Sequence, residues 1–353
     1  MALNASGPIS LAGSTTGQSI AVELGLGATT QISLNQAAVR TLAGIATGAI
    51  IMPTNFWGKS NAANRKAIFG YGYNVGVNST TNLVSDLGIV DASVTGVGTA
   101  RMYLAAAGYG ADKAIFGFGS TTGAAAGSVG MTNLVSNTGV VALDTTAVGQ
   151  LRMFLAAAGY GGDKAIFGYG SISTGASTAI TNLVSNTGVV TANVTGVGTV
   201  RRSLAAAGYG GDKAIFGYGA TPRTAITNLV SNTGVVALDT AGVGTVRELL
   251  AAAGYGGDKA IFGFGSSGPS YYGMTNLVSN TGVVALDTTA VGITRASLAA
   301  ASYSTDKAIF GYGTRSTGNS LITNLVSNTG VVAADVTSAA VARYALAAAA
   351  WGT

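Results

Sequence analysis

The chain has 353 residues, of which 48% are hydrophobic and only 9% charged, with 54 glycines and neither cysteine nor histidine. That composition excludes a disordered chain, and the missing Cys and His exclude disulfides, thiol chemistry, zinc-type metal sites and the usual proton shuttle. The formal charge of +5 reflects scarce acids rather than a basic run, so no nucleic-acid surface is expected. No apolar run reaches the ~18 residues of a spanning helix, so no membrane insertion is expected either. With no positive residue before Arg40 and no continuous apolar h-region, the sequence predicts no signal peptide and synthesis in a cytoplasm.

Residues 1–60 carry no repeat, and two helix-like pieces are predicted there. The second begins at Ser33 with Gln36 three residues on, a capping-box pattern, and Leu34, Ala38 and Leu42 follow at helical spacing. From there onward the chain repeats. KAIFG starts at Lys66, Lys113, Lys164, Lys213, Lys259 and Lys307, with spacings of 47, 51, 49, 46 and 48 residues, a period typical of propellers and arrays. TNLVS recurs in register with it. So does an arginine followed by Leu-Ala-Ala-Ala, at Arg101, Arg152, Arg201, Arg247, Arg295 and Arg343.

One unit parses into four short strands: LAAAGYG, KAIFGYG after a Gly-Gly-Asp turn, TNLVS after a variable insert, and GVVALD after an Asn-Thr-Gly turn. Alternation in KAIFGYG predicts Ala67, Phe69 and Tyr71 on one face and Ile68, Gly70 and Gly72 on the other. The alanine run suits strands converging on a crowded axis. The first unit lacks its LAAAGYG strand, and LAAAAWG at 346–352 can supply it. The expected fold is therefore all-β: a six-bladed β-propeller with four-stranded blades, closed by the C-terminal strand and preceded by a small, mainly helical module. An open solenoid would need capping units at both ends, and none is visible.

The glycine cassette resembles a phosphate loop only superficially, because no helix follows it. The Asp-Lys pairs at Asp112–Lys113, Asp163–Lys164, Asp212–Lys213, Asp258–Lys259 and Asp306–Lys307 read as turn residues, since equivalent copies do not make one active site. Asp144, Asp239, Asp287 and Asp335, with Asn193 in the third unit, stand eight residues before an arginine, which predicts Asp–Arg contacts between successive units. The arginines themselves read as staples between units, the alternative being an anion-binding ring at one end of a channel. The two glutamates, Glu23 and Glu248, offer no acid–base pair, so neither an enzyme nor a cofactor or metal site is expected.

The copies diverge in the inserts at 73–80, 120–131, 171–180, 220–226, 266–274 and 314–322. Variable loops on a rigid scaffold are a usual place for recognition. Tyr73, Arg223, Tyr271, Tyr272 and Arg315 supply most of their aromatic and cationic groups and are the candidate ligand-binding residues.

The unit R-x-x-LAAAGYGGDKAIFGYG, with an acidic residue before the next arginine, resembles a kelch-type blade over about residues 65–353. It departs from that pattern in having no Trp in TNLVSNTGVVALD. The pieces SGPISL, ELGL, ISLN, VRTLAG and FWGKS in residues 1–60 resemble short N-terminal modules of bacteriophage tail and other virion proteins. The resemblance implies a virion protein made in the host cytoplasm, present in several copies. Residues 1–60 would attach to other virion proteins, and a propeller at 61–353 would present its inserts, fibre- or adhesin-like, to a host-surface glycan or protein. The alternatives are a structural decoration or baseplate protein, and a propeller enzyme acting on polysaccharide through Glu248.

Overall fold

The computed structural model describes residues 3, 9–11, 18–24, 26, 32–34, 36–45, 50, 52 and 65–351. Strands predominate, and the chain is of the all-β class. It separates into two compact units, Met1–Asn64 and Arg65–Thr353.

In the first unit, α1 (Ile20–Glu23) and α2 (Ala37–Ala43) share a small core with Leu3, formed by Ile20, Val39, Leu42 and Ala43. The capping-box expectation is corrected here. The N-cap is Gln36, without a side-chain bond, and Ser33 instead closes the preceding turn by accepting the Gln36 amide at 2.9 Å. Because α2 starts after Leu34, its buried face is Val39–Leu42–Ala43, and Ala38 is exposed.

In the second unit, β1 (Arg65–Tyr73) and β2 (Val77–Ser85) form a hairpin, and β3 (Ala105–Tyr109), β4 (Lys113–Gly117) and β5 (Thr132–Val135) form an antiparallel sheet in that order. The β3–β4 register runs from Ala105 opposite Gly117 to Tyr109 opposite Lys113, so the Gly-Ala-Asp segment is a tight turn. The same three-strand order recurs in sheets whose middle strands are Lys164–Gly168, Lys213–Gly217, Lys259–Gly263 and Lys307–Gly311. β1 also pairs with the final strand, Ala347–Ala350, Ala67 lying opposite Ala350 and Gly70 opposite Ala347. That strand takes beside β1 the place β3 takes beside β4.

Two expectations about the strands are corrected. GVVALD forms isolated bridges, such as Val135 with Val141, rather than a continuous fourth strand, and the one paired strand there among the described residues, Val336–Thr337, lies just past GVVAAD. Side chains replace the missing ladder: Asn133 Nδ2 donates to Ala142 O at 3.0 Å and to Asp144 Oδ1 at 2.8 Å. The second concerns Tyr71, which leaves the face of Ala67 and Phe69 and packs with Ile68 against Ala114 and Phe116. Its left-handed backbone, φ +65°, breaks the alternation, as it does at Phe118, Tyr169, Tyr218, Phe264 and Tyr312.

Between sheets, each KAIFG phenylalanine wedges over the glycine of the preceding unit. A Cβ on Gly117 would lie 2.7 Å from Phe167 Cζ, one on Gly168 2.7 Å from Phe216 Cζ, and one on Gly311 2.7 Å from Phe69 Cζ. Only glycine admits the ring so closely. The same phenylalanines meet the shifted aromatic residue edge-on, as Tyr71 meets Phe116 at 5.1 Å and Tyr312 meets Phe69 at 5.1 Å. Burying each phenylalanine contributes roughly 1.5–3 kcal/mol.

Candidate functional site

The six Ala-rich strands line one cavity of about 350 Å³. At one end lie the Asp-Lys turns. Their ion pairs, such as Lys113 Nζ to Asp112 Oδ1 at 2.6 Å, are the turn chemistry read from the sequence and recur in five of the units.

The other end is built by the arginine segments. Two residues after each arginine the backbone turns left-handed, at Tyr103, Phe154, Ser203, Leu249, Ser297 and Ala345, with φ between +52° and +57°. Phe154 N donates to Tyr103 O at 2.9 Å, Ser203 N to Phe154 O, Leu249 N to Ser203 O, Ser297 N to Leu249 O, and Ala345 N to Ser297 O. Tyr103 N donates to Ala345 O at 2.8 Å, so the hydrogen bonds return to their starting residue. Left-handed backbone at a bulky residue costs about 1–2 kcal/mol, and this repeated pattern of bonds holds it.

The inserts join this end through bridges one residue earlier: Met102 with Ser120, Arg202 with Ala220, Glu248 with Ser266, and Tyr344 with Tyr73. Here the copies differ most. Tyr103 and Phe154 lie ring on ring, centroids 3.9 Å apart, and Tyr73 tilts against Tyr344 at 5.4 Å. Burial, with a smaller contribution from Tyr344 nearby, pushes the Tyr103 phenol up to about 12. Arg223 Nη2 meets Glu248 Oε1 at 2.6 Å.

The structure places the five sequence-predicted residues on inserts or their edges and gives each its own surroundings rather than bringing them together. Tyr73 is half-buried against Tyr344, Arg223 is exposed and held by Glu248, and Tyr272 shares a 2.5 Å hydrogen bond with Ser267 Oγ. Tyr271 is half-buried in the short strand Ser270–Tyr271, and half-buried Arg315 has an Nε without a partner. Sequence reasoning missed Tyr103, Phe154 and Tyr344. Their signal was available: the positions after each arginine vary within an otherwise constant cassette.

The arginines are not an anion-binding ring, because Arg101, Arg152, Arg201, Arg247 and Arg295 are 0% exposed between sheets. Arg101 stacks 4.3 Å over the Tyr71 ring of the preceding unit and donates Nε to Phe118 O at 2.8 Å and Nη2 to Asn133 Oδ1 at 2.6 Å. The predicted Asp–Arg partners are corrected too. Asp144 lies 3.7 Å from Arg101, the arginine that opens its own unit, and not beside Arg152. Asp239 with Arg201 and Asp287 with Arg247 follow the same rule, because the GVVALD segment folds back along its own sheet. Arg152, whose unit carries Asn193, donates Nη1 to Tyr169 O and Ile180 O and Nη2 to Asn182, leaving Nε without a partner. Burial pulls Arg152 down to about 10.

Among the described residues, no three acidic side chains gather as a metal site requires, and no helix is long and apolar enough to cross a membrane. Compared with known proteins, the chain matches no family model and no curated protein.

Proposed function

We propose that residues 65–353 are a six-bladed, kelch-like β-propeller closed by the final strand, and that the chain is a phage virion protein, tail-associated, which recognises a host surface. The propeller reading rests on the hydrogen bonds that return from Tyr103 to Ala345 and on the wedge of Phe69 over Gly311. The virion reading rests on the wording of residues 1–60 and of the repeats, and residues 1–60 would be the attachment module. The observation that carries recognition is the contrast between the two ends of the cavity. One repeats the Asp-Lys turn in five units, with Trp351 at the sixth place, whereas the other gathers Tyr103, Phe154, Tyr344, the Arg223–Glu248 pair and every insert. Several copies on one particle would multiply a weak contact into firm adsorption.

The test is competition. Purified full-length chain is expected to bind host cells and to slow adsorption of the particle that carries it; a protein that does neither removes the recognition role. A second reading, a decoration or baseplate subunit, is favoured by the apolar side chains along the outer segments. Val140, Leu143, Val235, Leu238, Val283 and Leu286 are each 65–77% exposed. Under that reading these positions are covered in the assembled particle, which a reconstruction of the particle would display.

A further inference from the structure

Of the six equivalent left-handed positions, only Tyr103 and Phe154 carry aromatic rings, and they belong to consecutive units. Their rings lie 3.9 Å apart at 34°. Tyr344 precedes Ala345, whose carbonyl accepts the Tyr103 amide at 2.8 Å, and itself tilts at 52° over Tyr73. The four rings therefore run as one arc around part of the insert-bearing end, each half-buried. The arc holds no formal charge. The ionic groups of this end flank it: Arg202 beside Ser203, and Glu248, beside Leu249 and neutralised by Arg223 at 2.6 Å, on one side, and Arg315 on the insert of the unit before Tyr344 on the other.

We infer that this arc is a binding site for a neutral saccharide, which deepens and rests on the recognition reading above. A pyranose has one face of C–H groups and a rim of hydroxyls. The C–H face matches the electron-rich face of an aromatic ring, and the hydroxyls need donors and acceptors beside it. Here the rings are followed around the same end by the half-buried Arg202 and by the inserts. The four rings themselves offer a charged ligand no counter-charge, Arg202 and Arg315 standing beside them rather than among them. An aliphatic partner would find little more, because Met102 and Met153 beside the rings are buried.

The chain supplies its own test variants. Ser203 and Ser297 occupy the same left-handed position with the same backbone bond, so Tyr103→Ser and Phe154→Ser keep a local structure the protein already uses. Full-length wild type, both variants and a Lys164→Ala control at the opposite end would be applied to a microarray of neutral oligosaccharides: glucans, mannans, galactans and chitooligosaccharides. The expected result is retention of at least one class by wild type and the control, with at least tenfold weaker binding by Tyr103→Ser and by Phe154→Ser. No retained neutral saccharide, or equal retention by the variants, overturns the inference. Host-cell binding is measured separately. Cell binding that survives periodate oxidation of surface sugars but not protease treatment also overturns it, while leaving the recognition reading in place. Saccharide binding without any host-cell binding keeps the arc and removes the host role.

Discussion

Ser93 accepts the amide of Val341 at 3.2 Å, the place that Asp144 takes against the amide of Thr99 at 2.9 Å. Elsewhere that acidic or amide residue faces a left-handed glycine: Gly98 at φ +79°, for example, where a Cβ would lie only 2.4 Å from Asp144 Oδ1. At the seam closed by the final strand the chain departs on both sides at once, with Ser93 for Asp and Ala340 for Gly, and Ala340 does not take up the positive φ. Arg343 is left with Nε and Nη1 buried and without partners.

This pairing predicts strong coupling between the two positions. Ser93→Asp alone should destabilise, because the carboxylate lacks the left-handed glycine that admits it. Ala340→Gly alone should cost roughly 0.5–1 kcal/mol in chain entropy. Together they rebuild the arrangement of the other seams, and a double-mutant cycle in denaturant should give a favourable interaction of about 1 kcal/mol or more. Simple additivity of the two changes would refute the account.

Arg152 and Arg201 form a natural comparison. Asp239 accepts Thr199 N at 3.0 Å, Thr199 Oγ1 at 2.6 Å and Asn228 Nδ2 at 2.9 Å, and lies 3.9 Å from Arg201. Asp239→Asn should therefore destabilise by about 1 kcal/mol. Asn193→Asp should do the opposite by giving Arg152 the carboxylate it lacks. Thermal melts of the two variants should move in opposite directions; a fall in both would show that the carboxylate is not what stabilises these seams.

Acid should loosen the seams over a defined range. Burial alone would raise Asp144, Asp239 and Asp287, but hydrogen bonds from the neighbouring threonine and asparagine, with the nearby arginine, hold all three below the ordinary value of 3.8. A carboxylate whose folded pKa lies below its unfolded one contributes stability that is complete above the unfolded value. That stability is lost as pH falls through the folded one. Melting temperature should hold steady down to about pH 4 and then fall. In the triple Asn variant of these positions the fall should be shallower, though not absent, because turn aspartates such as Asp163 are also held low by their lysines.

The aromatic wedge sets a steric prediction. Gly168 has ordinary strand backbone, yet a Cβ there would sit 2.7 Å from Phe216 Cζ, and that ring is fully buried. Gly168→Ala should destabilise by about 1–3 kcal/mol through overpacking. A Gly168→Ala/Phe216→Leu double variant should recover part of the loss; no recovery would mean that the Cβ clashes elsewhere.

Apart from the capping box expected at Ser33, local features were legible in the sequence because they depend on neighbours along the chain. Lys113 and Asp112 announced a turn, and the period of KAIFG announced repeated sheets. Three features depended on backbone geometry or on distant segments, and these were misread or missed. The left-handed residue at Tyr71 reverses its side chain, which no alternation rule foresees. The fold-back of GVVALD brings Asp144 to Arg101 instead of to the arginine nearer in sequence. The stacking of Tyr103 on Phe154 joins residues of two units, and only variation at one position of the cassette hinted at it.

The pairing of β1 with the final strand also sets an order in time. During synthesis β1 and β2 can form as soon as they leave the ribosome, but one edge of β1 stays bare until Ala347–Ala350 has been made. For that interval every newly made Leu-Ala-Ala-Ala strand is a near-copy of the rightful one and a rival for the bare edge, on the same chain or on a neighbour translated beside it. Crowded expression should therefore favour strand-exchanged assemblies, and slower initiation, which spaces nascent chains apart, should favour chains in which β1 pairs with its own final strand.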